Sequence, residues 1–261
     1  AELQNDCSRM FKISPDETLK IVQELYEKKM VTYPRTDARV LSTAVAKEIH
    51  KNISGLRGYV HGKPFAEEIL EKGSYKNLEK TRYVNDKQIT DHYAIVPTGQ
   101  GMGALGSLHP QAAKVYETVV RRFLSIFYPP AVYQKVSIVS VIEKERLFSS
   151  FKILVSEGYL KVVQNSFAKK KDESPQEDGE QTEDTGFLEI LQTIKKGSEL
   201  DITGFQIKEG ETSPPKRYTS GSMILAMENA GQLIEDEELR AQIKGSGIGT
   251  SATRAEILKK L

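Results

Sequence analysis

Apolar residues recur at helical spacing through the first half of the chain. The segment SPDETLKIVQELYEKKM (14–30) opens with serine, proline and glutamate at the N-cap, the first helical position and the capping-box position. Its apolar residues then share one face, and the pattern predicts a helix ending near Lys28–Lys29, where cations suit the helix dipole. Three more helices are predicted at Thr43–Asn52, Phe65–Lys72 and residues 110–127.

The period of the pattern changes after residue 130. Apolar and polar residues alternate over Val132–Glu143 and through much of Arg146–Val155, which predicts antiparallel strands. The stretches GYLKVV, GFLEIL and ELDITGFQIKEG indicate further β-structure by composition and alternation. Helical spacing returns in GSMILAMENA and in ATRAEILKKL, where the sequence ends.

These patterns predict an α+β multidomain chain. It has a mainly helical domain at residues 1–130, an antiparallel β-rich domain at 131–216, and the beginning of a further helical domain at 217–261. The run Lys169–Gly186 holds seven acidic residues and three lysines, and is predicted to be a solvated loop, with a partner-binding segment as the alternative. Because the last predicted helix has only just begun, the chain is expected to be a fragment of a longer protein.

Charge and composition narrow the class of protein. Net charge is +1, but residues 1–130 carry 19 Lys and Arg against 15 Asp and Glu, whereas residues 131–261 carry 18 against 21. This balance alone does not predict binding to nucleic acid. Cys7 is the single cysteine, which excludes an internal disulfide and favours a reducing, intracellular setting. No apolar run is long enough to predict a transmembrane helix.

The stretch VTYPRTDARVLS contains a tyrosine, Tyr33, that is a candidate nucleophile. Pro34 biases Tyr33 toward extended backbone, so Tyr33 is predicted on a connector after the helix. A tyrosine attacks well only if its anion is stabilised, and the guanidinium of Arg35, two residues away, can do this while holding phosphate oxygens. By pattern alone Tyr33 is either a packing residue or a nucleophile, and packing is the commoner case.

Two further segments have the same ambiguity. His92 in DHYAIVPTG is either a structural histidine or a phosphate ligand. The segment GSGIGTSATRAEIL is either a capped helix start or an anion site, to which Thr250, Thr253 and Arg254 add donors. By contrast, GYVHGKP departs from the P-loop pattern in spacing and in its proline, which argues against ATP binding.

Taken in order, these three segments resemble the motifs of type IA DNA topoisomerases. The corresponding family patterns are LYE-x-G-[LI]-[IV]-[ST]-Y-[MP]-R-T-D, H-x-A-I-x-P-T and G-[IL]-G-T-P-A-T-R-A. Pro34 is typical of the bacterial topoisomerase III branch. This sequence departs from the patterns at Lys29, Ala38 and Ser251, where glycine, serine and proline are usual. The resemblance extends from Leu3 to the end of the chain.

The resemblance implies a role for each candidate residue. Tyr33 attacks single-stranded DNA and becomes joined to a 5′-phosphate, without ATP, and Arg35 stabilises the phosphate charge. His92 contacts the DNA or assists ionisation. Five other residues are implied as DNA contacts: Thr36, Arg39, Thr250, Thr253 and Arg254. For Thr36 and Arg39, turn hydrogen bonds and surface charge are the alternative reading.

The resemblance also implies what lies outside the chain. The family's magnesium (Mg2+) is held by an acidic Toprim domain that this sequence does not contain, so no metal ligand is predicted here and the fragment alone is expected not to complete a cycle. The expected location is the bacterial cytoplasm, at the nucleoid. Three alternatives remain: a non-catalytic single-stranded DNA-binding module, a recombinase-like or type IB tyrosine enzyme that forms a 3′-phosphate link, and a non-enzymatic scaffold.

Overall fold

The computed structural model describes residues 1–167, 191, 193–207, 209–243 and 247–260. The chain divides into two compact units. The first contains Ala1–Tyr128, Val162–Phe167 and Arg217–Leu261, and the second contains Pro129–Lys161 and Ala168–Lys216. Residues 217–261, which the sequence predicts as the start of a further domain, are grouped with the first unit. The functional domain assignment stays a prediction.

Helices dominate the first unit. In chain order they are α1 Glu2–Phe11, α2 Pro15–Glu27, α3 Thr43–Gly55, α4 Lys63–Lys72, α5 Pro110–Ser125, α7 Ser220–Glu228, α8 Glu237–Ile243 and α9 Arg254–Lys260, with the short α6 Leu160–Val163 where the chain re-enters the unit. Short 3₁₀ turns lie between them, including Met102–Ser107 in a glycine-rich stretch before α5. The six helices predicted from the sequence are all confirmed, and α1, α6 and α8 are additional.

Helix α2 begins and ends for the reasons that its sequence indicates. The Ser14 hydroxyl accepts a hydrogen bond from the Glu17 backbone N–H at 3.1 Å, and Pro15 is the first helical residue. At the other end Lys29 adopts φ 60°, a left-handed conformation that stops the helix. Val22 and Leu25 are buried on its inner face. The defined end of α2 therefore fixes where the connector that contains Tyr33 begins.

The core of the first unit is centred on α5. This helix buries Val115, Tyr116, Val120 and Leu124 completely, and the buried faces of α2, α3 and α4 belong to the same apolar cluster. Such burial is the main favourable term for a domain of this size. Within the described part of the chain, no helix is long and apolar enough to cross a membrane.

One buried ionic cluster fixes the segment that returns from the second unit. The Arg121 Nε donates to Glu117 Oε1 at 3.0 Å, and both side chains are almost fully buried. Glu117 also accepts from the backbone N–H and the hydroxyl of Ser166, each at 2.7 Å. Arg121 Nη1 donates to the Val162 carbonyl at 3.3 Å. Residues 162–167 are thus tied to α5 by polar contacts that have little access to water.

The described part of the second unit contains a single antiparallel hairpin. Strand β1, Val132–Ile142, pairs with β2, Glu145–Ser156, in a register that places Val136 opposite Phe151. The turn uses Glu143 at φ 52°. Both strands lie where the alternation predicts them, so the antiparallel β element is confirmed.

Two further strand predictions are wrong. GYLKVV forms a tight turn and helix α6, because Gly158 adopts φ 49° where a Cβ would lie 2.5 Å from the Pro129 carbonyl. The described residues of ELDITGFQIKEG form no strand, since their apolar side chains, such as Phe205, are exposed and have no ladder partner. The acidic run Lys169–Gly186 and most of GFLEIL lie outside the described residues.

Candidate active site around Tyr33

The connector that follows α2 runs antiparallel beside the segment that contains His92. Val31 forms an antiparallel bridge with Pro97, and the Thr32 N–H donates to the Val96 carbonyl at 3.0 Å. Further along, the Thr36 hydroxyl donates to the His92 carbonyl at 2.8 Å. Backbone pairing therefore brings together two of the three motifs, although about sixty residues separate them in the sequence.

Tyr33 lies between these pairing contacts, and its ring touches two aromatic neighbours. The His92 ring is 4.4 Å away, centroid to centroid, with the planes inclined by 42°. The Tyr26 ring meets Tyr33 edge-on at 5.5 Å. Tyr33 is half-buried and His92 is exposed. The tyrosine is thus held by its neighbours and still accessible to a substrate.

Tyr26 is a site neighbour that the sequence reasoning missed. Its position among the apolar residues of α2 is typical of a core residue, yet 39% of its surface is exposed because it lies at the last turn, beside Tyr33. The available signal was its place seven residues before Tyr33, within the same motif. A residue two helical turns upstream of a connector can contact that connector when the chain turns back, as it does at Lys29.

Arg35 is the exposed cation beside the tyrosine. Within the described residues it forms no ion pair and no hydrogen bond with another side chain. Thr36, by contrast, is engaged twice, since its hydroxyl also accepts from the Ala38 N–H at 3.0 Å. Arg35 is therefore available for an external anion, whereas the hydroxyl of Thr36 orders the loop, as the turn reading of this residue suggests.

Arg39 is held by carboxylates. Its Nη2 lies 3.1 Å from both carboxylate oxygens of Glu228 in α7 and 3.1 Å from Glu2 Oε1 in α1. The arginine side chain is about half exposed, whereas Glu228 is mostly covered. In this arrangement Arg39 joins the loop to two helices, which fits the alternative reading of this residue as a surface ion pair.

Arg254 is buried, with 4% of its surface exposed. Its Nη1 donates to Asp37 Oδ1 at 3.0 Å, and its Nε and Nη2 donate to the carbonyls of Ile248 and Gly249 at 3.0 and 3.1 Å. All three guanidinium nitrogens thus have protein acceptors. This geometry does not fit the predicted DNA contact, because a phosphate would have to displace buried hydrogen bonds. No pattern in the sequence indicates that Arg254 pairs with Asp37.

Thr250 and Thr253 are exposed, and they hydrogen-bond to each other just before α9. The Thr250 N–H donates to the Thr253 hydroxyl at 2.9 Å, and the two hydroxyl oxygens are 3.2 Å apart. Gly247 precedes them at φ 60°, where a Cβ would lie 2.6 Å from the Glu228 carbonyl. Both threonines thus have hydrogen-bond partners within the turn that precedes α9. A direct DNA contact by either threonine stays a prediction.

Other tyrosines of the first unit are poor nucleophile candidates. Burial raises the pKa of Tyr59 and of Tyr116. Burial also raises the pKa of Tyr128, and its hydrogen bond to Glu68 adds to this rise. A raised pKa keeps these hydroxyls protonated, and their rings belong to or pack against the apolar core. Tyr33 is set apart from them by its accessibility and by its neighbours.

The site does not fit a magnesium ion. Across the described ranges, no three His, Cys, Asp or Glu residues lie close enough together to hold a metal. Three carboxylates at the loop, those of Asp37, Glu2 and Glu228, are each bound by an arginine. The described residues therefore offer no set of magnesium ligands at this site.

Comparison with known proteins gives matches that cover the whole chain. A family model described as DNA topoisomerase matches residues 1–261. The chain is 34% identical over 267 residues to DNA topoisomerase 3 of Bacillus licheniformis and 32% identical over 264 residues to that of Bacillus subtilis. Both alignments cover 100% of this chain and 34% of the relative. The chain thus spans about a third of the length of these curated relatives.

Proposed function

Because this chain belongs to the DNA topoisomerase family, we propose that Tyr33 is the nucleophile with which the protein breaks one DNA strand. The hydroxyl oxygen of Tyr33 loses its proton and attacks a backbone phosphorus, and the bond from phosphorus to the 3′-oxygen breaks as that oxygen takes up a proton. The products are a 5′-phosphotyrosyl ester and a free 3′-hydroxyl. The 3′-hydroxyl then attacks the ester, reseals the strand and releases Tyr33.

The observation that carries this proposal is the contact between the rings of Tyr33 and His92. Two residues after Tyr33, the exposed guanidinium of Arg35 has no ion-pair or hydrogen-bond partner among the described side chains. Arg35 can bind the phosphate oxygens as charge develops during attack. His92 is close enough to contact the same phosphate or to take part in proton transfer. Energy is conserved because one phosphoester replaces another, so ATP is not required.

The wider activity follows from the same proposal. The substrate is DNA with single-stranded character, and passage of a second strand through the break changes DNA topology by relaxation or decatenation. This chain is a segment of a longer bacterial enzyme of the cytoplasm, acting at the nucleoid, and magnesium is supplied by residues outside it. Its β-rich part, residues 131–216, belongs to the arch of that enzyme. Alone, the segment is expected not to complete the cycle.

Covalent trapping tests the nucleophile. The longer protein, its Tyr33→Phe variant and this chain alone are incubated with single-stranded DNA labelled at the 3′ end and with magnesium, then quenched with denaturant. We expect label on the unmodified protein and none on Tyr33→Phe. Tyr26→Phe is the matched control, since it removes a hydroxyl from the neighbouring ring, and it should keep the label.

Each other result points to a named alternative. Label that survives in Tyr33→Phe means that another residue is the nucleophile. Label that joins the protein only from the 5′ end means a 3′-phosphate link, as in recombinase-like enzymes. DNA binding that is salt-dependent, equal in both proteins and without any adduct means a single-stranded DNA-binding module. Repeated plasmid relaxation by this chain alone would refute the expectation that the segment is incomplete.

A further inference from the structure

Two ion pairs of opposite polarity join the Tyr33 loop to the C-terminal part of the first unit. The loop contributes an acid, Asp37, and a base, Arg39, two residues apart. The C-terminal part contributes the complementary base, Arg254, and acid, Glu228. We call these two pairs the charge clasp. Because the polarity reverses between them, sliding the loop by two residues would place like charges together.

The Asp37 half of the charge clasp is anchored on rigid backbone. Arg254 is 4% exposed, and two of its nitrogens are bound to the carbonyls of Ile248 and Gly249, which leaves Nη1 directed at Asp37. A guanidinium is planar, so fixing two of its nitrogens also fixes the third. The position of the donor that Asp37 contacts is therefore set by the backbone around Arg254 and not by the loop.

The Arg39 half is more exposed and more highly charged. One guanidinium nitrogen lies 3.1 Å from both oxygens of Glu228 and from Glu2. An isolated pair at the surface contributes little, but two carboxylates on one arginine form a network. The network joins three separate elements at one point: α1, the loop and α7.

The opposite side of the loop is held by the His92 segment. The Thr36 hydroxyl donates to the His92 carbonyl, and Val31 is bridged to Pro97. Tyr33 and Arg35 therefore lie between the Val31 and Thr36 contacts, with the charge clasp beginning one residue after Thr36. A displacement of about 1 Å at a reacting group can lower a rate a hundredfold. Residues that restrain the Tyr33 loop can therefore affect the rate of the chemistry without contacting DNA.

We propose that Asp37, Arg39, Glu228 and Arg254 are positioning residues for strand cleavage, which rests on the proposed function of Tyr33. The charge clasp fixes the loop so that the Tyr33 hydroxyl and the Arg35 guanidinium meet one phosphate. On this account Arg39 and Arg254 act through the loop and do not hold DNA themselves. The proposal replaces their sequence-based interpretation as DNA contacts.

The two roles predict different kinetics. A residue that binds DNA raises KM or weakens affinity when it is lost. A residue that positions the nucleophile lowers kcat and leaves KM unchanged. Asp37→Asn keeps an acceptor oxygen and removes the charge, so it weakens the pair with Arg254 with little change in shape. We expect it to lower kcat of covalent adduct formation about tenfold, with KM unchanged within about twofold.

A charge swap tests the exposed half in the longer protein that carries this chain. Arg39→Glu and Glu228→Arg each place like charges together, and each should lower kcat about tenfold at constant KM. The double variant Arg39→Glu/Glu228→Arg restores opposite charges, and should recover most of the lost kcat. Arg57→Glu is the matched control, because it reverses another exposed arginine, paired with Glu67, and should leave kcat unchanged.

The outcomes separate this inference from the proposed function. If Tyr33→Phe abolishes the adduct while the single charge reversals match Arg57→Glu, the charge clasp does not position the loop. If Arg39→Glu raises KM and leaves kcat unchanged, Arg39 binds DNA directly and the inference fails. A swap that stays as slow as the single variants also overturns it. Failure of the proposed function is visible separately, as an adduct that persists in Tyr33→Phe.

Discussion

The His92 imidazole lies 4.4 Å from the ring of Tyr33, centroid to centroid, and the backbone carbonyl of the same histidine accepts a hydrogen bond from Thr36. The two contacts fall on either side of Arg35 in the loop sequence. Any movement of the His92 segment is thus transmitted to both ends of the Tyr33–Thr36 stretch. The histidine is coupled to the tyrosine by its backbone as well as by its ring.

His92→Ala should slow adduct formation and leave the fold intact. The side chain is exposed, and the hydrogen bond from Thr36 uses the backbone, so the loop keeps its pairing. Loss of a group that assists proton transfer costs about a hundredfold or more. The rate is measured by single-turnover trapping on labelled DNA. His61→Ala, an exposed histidine that contacts Tyr59 edge-on, is the control and should not change it. Equal rates in the two variants would remove His92 from the site.

Lys29→Gly should stabilise the protein. Lys29 has φ 60°, a conformation that costs a side chain roughly 1 kcal/mol and costs glycine little. We expect a gain of about 0.5–1 kcal/mol in the free energy of unfolding, measured with urea. Lys28→Gly is the matched comparison, because Lys28 has φ −77° and gains nothing from glycine. A loss at both positions would mean that the Lys29 side chain makes a compensating contact.

Breaking the buried pair between Glu117 and Arg121 should destabilise the first unit. Arg121→Met leaves the Glu117 carboxylate buried with the Ser166 donors alone, a change that costs about 3–5 kcal/mol. The double variant Glu117→Leu/Arg121→Met removes both charges and should recover part of this loss. Lys72→Met, which breaks an exposed pair with Glu68, is expected to cost less than about 1 kcal/mol. Similar losses in Arg121→Met and Lys72→Met would contradict the assignment of a desolvated pair.

Cys7 should make stability fall at alkaline pH. Burial raises the pKa of the Cys7 thiol to about 12, whereas an unfolded thiol has a pKa near 8.5. Between these values the unfolded chain loses the proton and the folded chain keeps it. This contribution to stability is therefore complete below about pH 8.5 and is lost as pH rises toward 12.

The measurement compares urea unfolding of the unmodified protein and Cys7→Ala at several pH values from 7 to about 10, below the ordinary tyrosine range. The variant loses some packing at every pH, but its stability should decline less between about pH 8.5 and 10. Parallel curves would show that Cys7 ionises equally in both states.

Local signals in the sequence were enough to predict most of the helices. Ser14, Pro15 and Glu17 mark the start of α2, and the structure forms the expected capping bond. Helix α1 was missed because it has no side-chain cap and because it buries Gln4 and Cys7 in place of a regular apolar stripe. Helix boundaries are thus predictable where the sequence contains capping residues. They are less predictable where tertiary packing alone determines the helix ends.

Long-range partners could not be predicted in the same way. Alternation of apolar and polar residues predicted β1 and β2 correctly, and these strands form because each pairs with the other. Similar alternation at residues 199–207 forms no strand in the described chain. Motif patterns identified Tyr33, Arg35 and His92 as a group. The pairing of Arg254 with Asp37 joins residues 217 positions apart, and no periodicity or composition contains that information.

The antiparallel pairing of residues 31–36 with 92–97 also governs how the gene can change in length. A single insertion between Val31 and Tyr33 would shift the register by one and turn the Tyr33 ring to the other side of the loop, away from His92. An insertion in the exposed turn at Val60–His61 would only lengthen a closed loop, at an entropic cost that grows slowly with length. Insertions and deletions should therefore be tolerated between these two motifs and purged within them.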